Sequence, residues 1–184
     1  SAGVEQADII GHSMGGKAAM VTALLYPEHV KSLAVLDIAP VTYSHRYTDM
    51  LDCMAAVDMA VCHSRSEVEA RLKKGIPDDA TRQFIMQNVI AKGDQMAWRL
   101  NLPVLTKYMD EIVGFPVTQV EGHHYDDRVT MIYGADSDYV KASAGPVVRD
   151  YFPNSEFISV EGAGHWIQVD QPELLVELLQ TSLM

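Results

Sequence analysis

The run Ala7-Asp8-Ile9-Ile10-Gly11-His12-Ser13-Met14-Gly15-Gly16 constrains this chain more than any other stretch. An apolar strand signal, Ala7 to Ile10, ends in glycine-rich sequence. A helix pattern starts at once, with Ala18, Ala19, Val21, Thr22, Leu24 and Leu25 as its expected core positions. A strand that enters a helix with no intervening loop needs a very tight bend. The residue at its apex is pushed out of the common backbone regions, and side chains around it collide. Gly11 and Gly15 are therefore expected to remove clashing side chains, and Gly16 to let the helix pack near the strand. Ser13, at the apex, is expected to hold its hydroxyl clear of the sheet edge.

The rest of the chain supplies the sheet that such a bend needs. The helix stops before Pro27. Ser32 to Ile38 is a short continuous apolar run, which suits a strand buried on both faces of a parallel sheet. Residues 42–122 change character. Met50, Met54, Met59, Met86, Met96 and Met109 are scattered through four expected helices, at 46–61, 65–74, 78–91 and 102–113, with no strand predicted between them. Ser66 with Glu69 reads as a capping box for the second of these. Strand signals return at Arg128–Tyr133 and Phe157–Val160, followed by helical patterns at 140–151 and 172–183. Alternation of strands and helices predicts an α/β fold with a parallel sheet. The expected division is a core of 1–41 and 123–184, with 42–122 as a helical insertion or lid. The insertion leaves the carboxyl end of the second strand, where ligands bind in open α/β sheets, so it is placed to cover a site.

Composition removes several function classes. The 184 residues carry 14 Lys plus Arg against 25 Asp plus Glu, a formal charge of -11. Such a field repels nucleic acid and anionic membrane surfaces, so neither is an expected partner. No apolar run approaches the roughly 18 residues of a membrane span. Two cysteines, Cys53 and Cys62, make no disulfide framework and read as small buried thiols. No basic segment leads into an apolar core at the start, and a cytoplasmic location is the expectation.

A serine hydroxyl is a weak nucleophile and needs a base. His165 is the candidate, in Gly162-Ala163-Gly164-His165-Trp166, immediately after an expected strand. The backbone N–H of Met14, at a helix N-terminus, is a candidate donor to a developing oxyanion. A carboxylate must orient the imidazole, and two places offer one. Asp37 stands at an apolar strand end, where an unpaired carboxylate is costly. Asp136 and Asp138 stand in the loop after the 128–133 strand, a more usual address. There, however, Ser137 occupies the position where an aspartate is expected. Asp37 is favoured, with Asp136 or Asp138 as the alternative acid. His12 is expected to pack or bond locally, and His29, His45 and His63 to lie on the surface or the insertion. His123-His124 with Asp126 and Asp127 matches no standard ligand spacing, so no metal is expected. No phosphate loop or dinucleotide fingerprint is present, and no organic cofactor is implied.

Taken together, Gly-His-Ser-Met-Gly-Gly-Lys (11–17), Leu-Asp-Ile-Ala-Pro-Val (36–41), Trp-Arg-Leu-Asn-Leu-Pro-Val-Leu (98–105), Tyr-Val (139–140) and Gly-Ala-Gly-His-Trp (162–166) resemble the α/β-hydrolase superfamily. The narrower resemblance is to the YbfF-type small acyl esterases of bacteria and their mitochondrial relatives. It spans essentially all of the chain. It implies an acyl-enzyme mechanism on a Ser-His-Asp triad, with Asp37 as the acid. It also implies a small-molecule ester or thioester substrate such as an acyl-CoA. Val41, Tyr43 and Trp166 are weaker candidates for substrate binding. The strands and the His-Gly oxyanion loop with which that family begins have no match here, so the chain is expected to be the C-terminal portion of a family member. Without the second oxyanion donor, the rate is expected to fall by on the order of 100-fold. The rival expectation is a truncated, non-catalytic protein that binds an acyl ligand or a partner. C–C bond hydrolases, perhydrolases and lipases share the same triad. Oligomeric state has no signature in these residues.

Overall fold

The computed structural model describes residues 3–43 and 47–183. The strands are β1 (Ala7–His12), β2 (Val30–Leu36), β3 (Val89–Lys92), β4 (Gln95–Trp98), β5 (Val129–Gly134) and β6 (Ser155–Val160). The helices are α1 (Met14–Leu25), α2 (Tyr47–Ala55), α3 (Arg65–Leu72), α4 (Asp79–Met86), α5 (Leu102–Lys107), α6 (Met109–Val113), α7 (Ala144–Tyr151), α8 (Ile167–Asp170) and α9 (Pro172–Ser182). The main sheet runs β1-β2-β5-β6 with every pairing parallel. All four strands therefore present their carboxyl ends at the same rim, which is what makes a shared site possible.

Burial explains the strand composition. β2 lies between β1 and β5 and buries Leu33, Ala34, Val35 and Leu36 consecutively, as a strand covered on both faces requires. It ends at Leu36 rather than Ile38, because Asp37 leaves the extended region at φ 50. Leu36, Ile132, Val160, Ala163, Ile167 and Leu175 form one apolar cluster, with Ile158, Leu178 and Leu179 packed against it. Helix α1 turns a different face inward from the one expected. It buries Ala19, Met20, Ala23 and Leu24, while Ala18 is exposed and Val21, Thr22 and Leu25 are half-buried. Met14 to Leu25 is apolar nearly all round, so periodicity alone could not select the inward face.

The chain divides into two compact units, Ser1–Thr42 with Gly114–Met184, and Tyr43–Val113. Residues 114–122, expected in the insertion, belong to the first unit. Their flanks are tied there. The Lys17 ammonium donates to the Gly114 carbonyl at 2.8 Å, Phe115 and Tyr151 have ring centroids 5.6 Å apart, and Tyr125 N–H donates to the Tyr151 carbonyl at 2.9 Å.

The second unit has its own core. Leu51, Met54, Val57, Cys62, Val68, Leu72, Ile76, Ile85, Met86, Val89 and Leu102 are buried together, and Met50, Met59, Met96 and Met109 pack against them. All six methionines singled out in the sequence thus serve that core. Cys53 and Cys62 are free thiols; Cys62 is buried and Cys53 half-buried. The helices are shorter than expected, and the unit also contains an antiparallel hairpin, β3–β4, where helix and loop were predicted. Gly93, at φ 66, opens a two-residue turn with Asp94, the place where a type II′ hairpin demands positive φ. The capping box lies two residues earlier than expected. The Ser64 hydroxyl accepts the Glu67 N–H, and the Glu67 carboxylate accepts the His63 N–H.

One buried charge in the first unit has a pH consequence. Burial lowers the pKa of Lys17 from the usual 10.5 to about 8. Between these values the unfolded chain binds more protons than the folded one, so this group's contribution to stability rises as pH increases from 8 to 10.5. Thermal melts across that window are expected to show wild type gaining on Lys17→Met. A constant gap would contradict the assignment.

Candidate active site

Four side chains reach the rim from four different strand ends. Ser13 follows β1, Asp37 follows β2, Ser137 lies in the loop after β5, and His165 lies in the loop after β6. The sheet ladder continues one residue past the strands to seat two of them. Ser13 N–H donates to the Leu36 carbonyl at 3.0 Å, and Asp37 N–H donates to the Ile132 carbonyl at 2.8 Å. Among the described residues, Ser13 (φ 55) and Asp37 (φ 50) are the non-glycine residues with positive φ. Such backbone conformations each cost about 1–3 kcal/mol and persist where surrounding structure enforces them.

Glycine makes the bend at Ser13 possible, though not at every expected position. A Cβ on Gly11 would fall 2.6 Å from the Cα of Gly16, and one on Gly16 would press on the Ile38 side chain and lie 3.0 Å from the Gly11 carbonyl. A Cβ on Gly15 would meet open space, so the expected clash at that position is absent. Met14 opens α1, so its N–H has no acceptor within the helix.

The polar contacts form a continuous relay. His165 Nε2 lies 3.1 Å from Ser13 Oγ, and His165 Nδ1 lies 2.7 Å from Asp37 Oδ2. A carboxylate only accepts, so Nδ1 carries the proton and Nε2 offers its lone pair to the serine hydroxyl. Asp37 is fully buried, and every hydrogen bond to it therefore counts. Its Oδ1 accepts the Gly134 N–H at 3.2 Å, and its Oδ2 also accepts the Ser137 hydroxyl. Ser137 Oγ in turn accepts the Tyr139 N–H at 3.2 Å.

Asp136 and Asp138 stand differently. Both are exposed. Asp138 pairs with Lys141 at 3.5 Å, the backbone N–H of Asp136 donates to the Ala163 carbonyl at 3.0 Å, and neither carboxylate hydrogen-bonds His165. Trp166 is 40% exposed, with its ring centroid 5.6 Å from that of His165. Val41 is half-buried in the loop after β2, and Tyr43 opens the second unit with its N–H on the Val113 carbonyl at 3.1 Å. His29 and His63 are exposed, while His45 lies outside the described residues. His124 pairs with Asp126 at 3.4 Å on the surface. Among the described residues, no group of three or more His, Cys, Asp and Glu side chains could hold a metal ion, and no helix is long and apolar enough to cross a membrane.

Three contacts were not anticipated. The Ser137 hydroxyl is a partner of Asp37 as well as the occupant of the usual aspartate position. Tyr139 stacks on the His165 ring, with centroids 3.8 Å apart and planes 17° from parallel. His12 bonds far from its own turn, to the backbone carbonyl of His165 at 2.8 Å. Burial lowers the pKa of the His12 imidazole below its ordinary value.

A parallel sheet, a strained serine between strand and helix, and a loop histidine bonded to it define a class, and comparison with known proteins agrees. A family model described as the alpha/beta hydrolase fold matches residues 1–172, and the chain belongs to that family. It is 33% identical to the mouse protein named sn-1-specific diacylglycerol lipase ABHD11, over 95% of this chain and 58% of that one. It is 28% identical to Esterase YbfF of Escherichia coli strain K12, over 98% of this chain and 68% of that one. Among solved structures, one titled Marine microorganism esterase superposes with a TM-score of 0.89 at 27% identity, covering 97% of this chain and 70% of that one. The chain spans just over half the length of the vertebrate relatives it matches.

Proposed function

We propose that this chain carries the catalytic centre of a serine hydrolase that cleaves carboxylic esters or thioesters. One observation carries the reading: the unbroken relay from Ser13 Oγ through His165 to the buried Asp37 carboxylate. The names of the relatives, esterases and a lipase, support the same class.

In this reading Ser13 Oγ attacks the acyl carbonyl carbon as its proton passes to His165 Nε2. The N–H of Met14 stabilises the tetrahedral oxyanion. As the intermediate collapses, the bond to the leaving group breaks and Nε2 returns the proton to the departing alkoxide or thiolate. Water then attacks the acyl-enzyme, giving its proton to Nε2. The acid is released and Ser13 recovers its hydrogen. Asp37 fixes the productive tautomer and stabilises the imidazolium. Trp166, next to His165 in sequence, and Val41, in the loop that follows Asp37, are proposed substrate neighbours. No step requires a metal or an organic cofactor.

A fluorophosphonate probe tests the reading. Stoichiometric labelling, mapped by peptide mass to Ser13, is the expected result. A folded protein that remains unlabelled would favour a binding role. Turnover of a nitrophenyl ester against a thioester of the same acyl chain separates the two substrate classes. Ser137→Ala is expected to lower kcat by about ten- to a hundredfold, because a hydrogen bond to a charged group contributes about 1.5–3 kcal/mol. An unchanged kcat would show the Ser137 hydroxyl to be idle.

A further inference from the structure

We propose that His12 is a positioning residue for His165, acting through the backbone rather than on substrate. The inference rests on the hydrolase reading above. His12 immediately precedes the strained Ser13, so its position is set by the same sharp bend. Its Nε2 reaches the His165 backbone carbonyl at 2.8 Å, across 153 residues of sequence. A carbonyl only accepts, so the His12 nitrogen donates. Its ring lies alongside both residues of the His165-Trp166 pair, with centroids 4.8 Å and 5.4 Å away.

The loop carrying His165 needs such an anchor. It contains Gly162, at φ 68, and Gly164, so its backbone is intrinsically permissive. Two other hydrogen bonds hold it upstream of the histidine: Asp136 N–H on the Ala163 carbonyl at 3.0 Å and Gly164 N–H on Asp170 at 2.9 Å. The side chain of His165 is fixed by Asp37. The His12 bond fastens the His165 backbone to the nucleophile's own turn. It couples base and nucleophile, so that this bond and the Asp37 bond together hold the 3.1 Å spacing between them.

The test compares His12→Gln, His12→Asn and His12→Leu in the full chain. Glutamine carries an amide donor near the position of Nε2; asparagine is too short to reach, and leucine has no donor. His12→Leu and His12→Asn are expected to lower kcat by about ten- to a hundredfold, the scale of a misplaced reacting group, with KM unchanged. His12→Gln is expected to restore most of the loss. The low-field proton resonance of His165 Nδ1–H gives a readout that does not depend on turnover. It is expected to broaden with Leu and Asn and to remain sharp with Gln. If His12→Leu fails to fold, the Gln and Asn pair, both polar, carries the comparison. Equal kcat and equal resonances in Gln and Asn variants would overturn the proposal. A wild-type protein inert toward esters and fluorophosphonates would instead overturn the hydrolase reading, while the resonance still reports on His12.

Discussion

Replacing Ser13 with alanine is expected to reduce ester turnover by on the order of a millionfold, the scale seen when a triad nucleophile is removed. The substitution takes away the atom that, in the proposed mechanism, bonds to the acyl carbon. What survives is whatever acceleration binding and oxyanion stabilisation supply without it. The fold is expected to persist, because alanine fits the space of serine and meets the same backbone strain at φ 55. Burst kinetics and probe labelling should both vanish while far-ultraviolet circular dichroism and the melting temperature stay near wild type. Retained hydrolysis in purified Ser13→Ala would refute the assignment of this residue as nucleophile.

Asp37→Asn is the second large effect, expected on the order of ten-thousandfold in kcat. The physical reason is the tautomer. An amide nitrogen facing His165 Nδ1 donates where the carboxylate accepted, so the ring proton moves to Nε2. A protonated Nε2 cannot take the hydrogen of Ser13. The Gly134 N–H donates to Oδ1 and so favours the amide oxygen there, which leaves the nitrogen facing His165 Nδ1; the Ser137 hydroxyl shares Oδ2 with His165 and can rotate to accept from that nitrogen. Asp136→Asn and Asp138→Asn are expected to stay close to wild type, since both carboxylates are exposed and neither bonds His165. Parallel steady-state assays of the three variants decide between the candidate acids; the opposite ranking would transfer the role to the later loop.

The ease of reading these residues from sequence follows their physics. Ser13 is legible because a tight strand-to-helix bend demands glycine nearby, and glycine leaves a mark in the sequence. Gly11 and Gly16 are required by close approaches, while Gly15 faces open space, so a glycine in this pattern does not by itself mark a clash. Asp37 could be suspected because a carboxylate ending an apolar strand needs a partner. Its positive φ left no sequence mark. Ser137 is the opposite case: it drew notice only as an exception to a pattern, and its bond to Asp37 depends on register between β2 and β5. The link from His12 to His165 joins residues too distant in sequence for any local pattern to reveal. The β3–β4 hairpin carried a readable signal, Gly93-Asp94 between two strand-like runs, but the surrounding helical and methionine-rich sequence outweighed it. The inward face of α1 had no local determinant, since apolar residues surround that helix.

Each of four parallel strands delivers one member of the polar relay at its carboxyl end. Neighbouring residues along a strand are about 3.3 Å apart and point to opposite faces, so a slip of one residue between β2 and β5, both buried along most of their length, would break the relay while leaving most of their apolar surface covered. Loss of turnover should therefore precede loss of compactness under mild denaturant, making activity a more sensitive gauge of strand alignment than any spectroscopic measure of secondary structure.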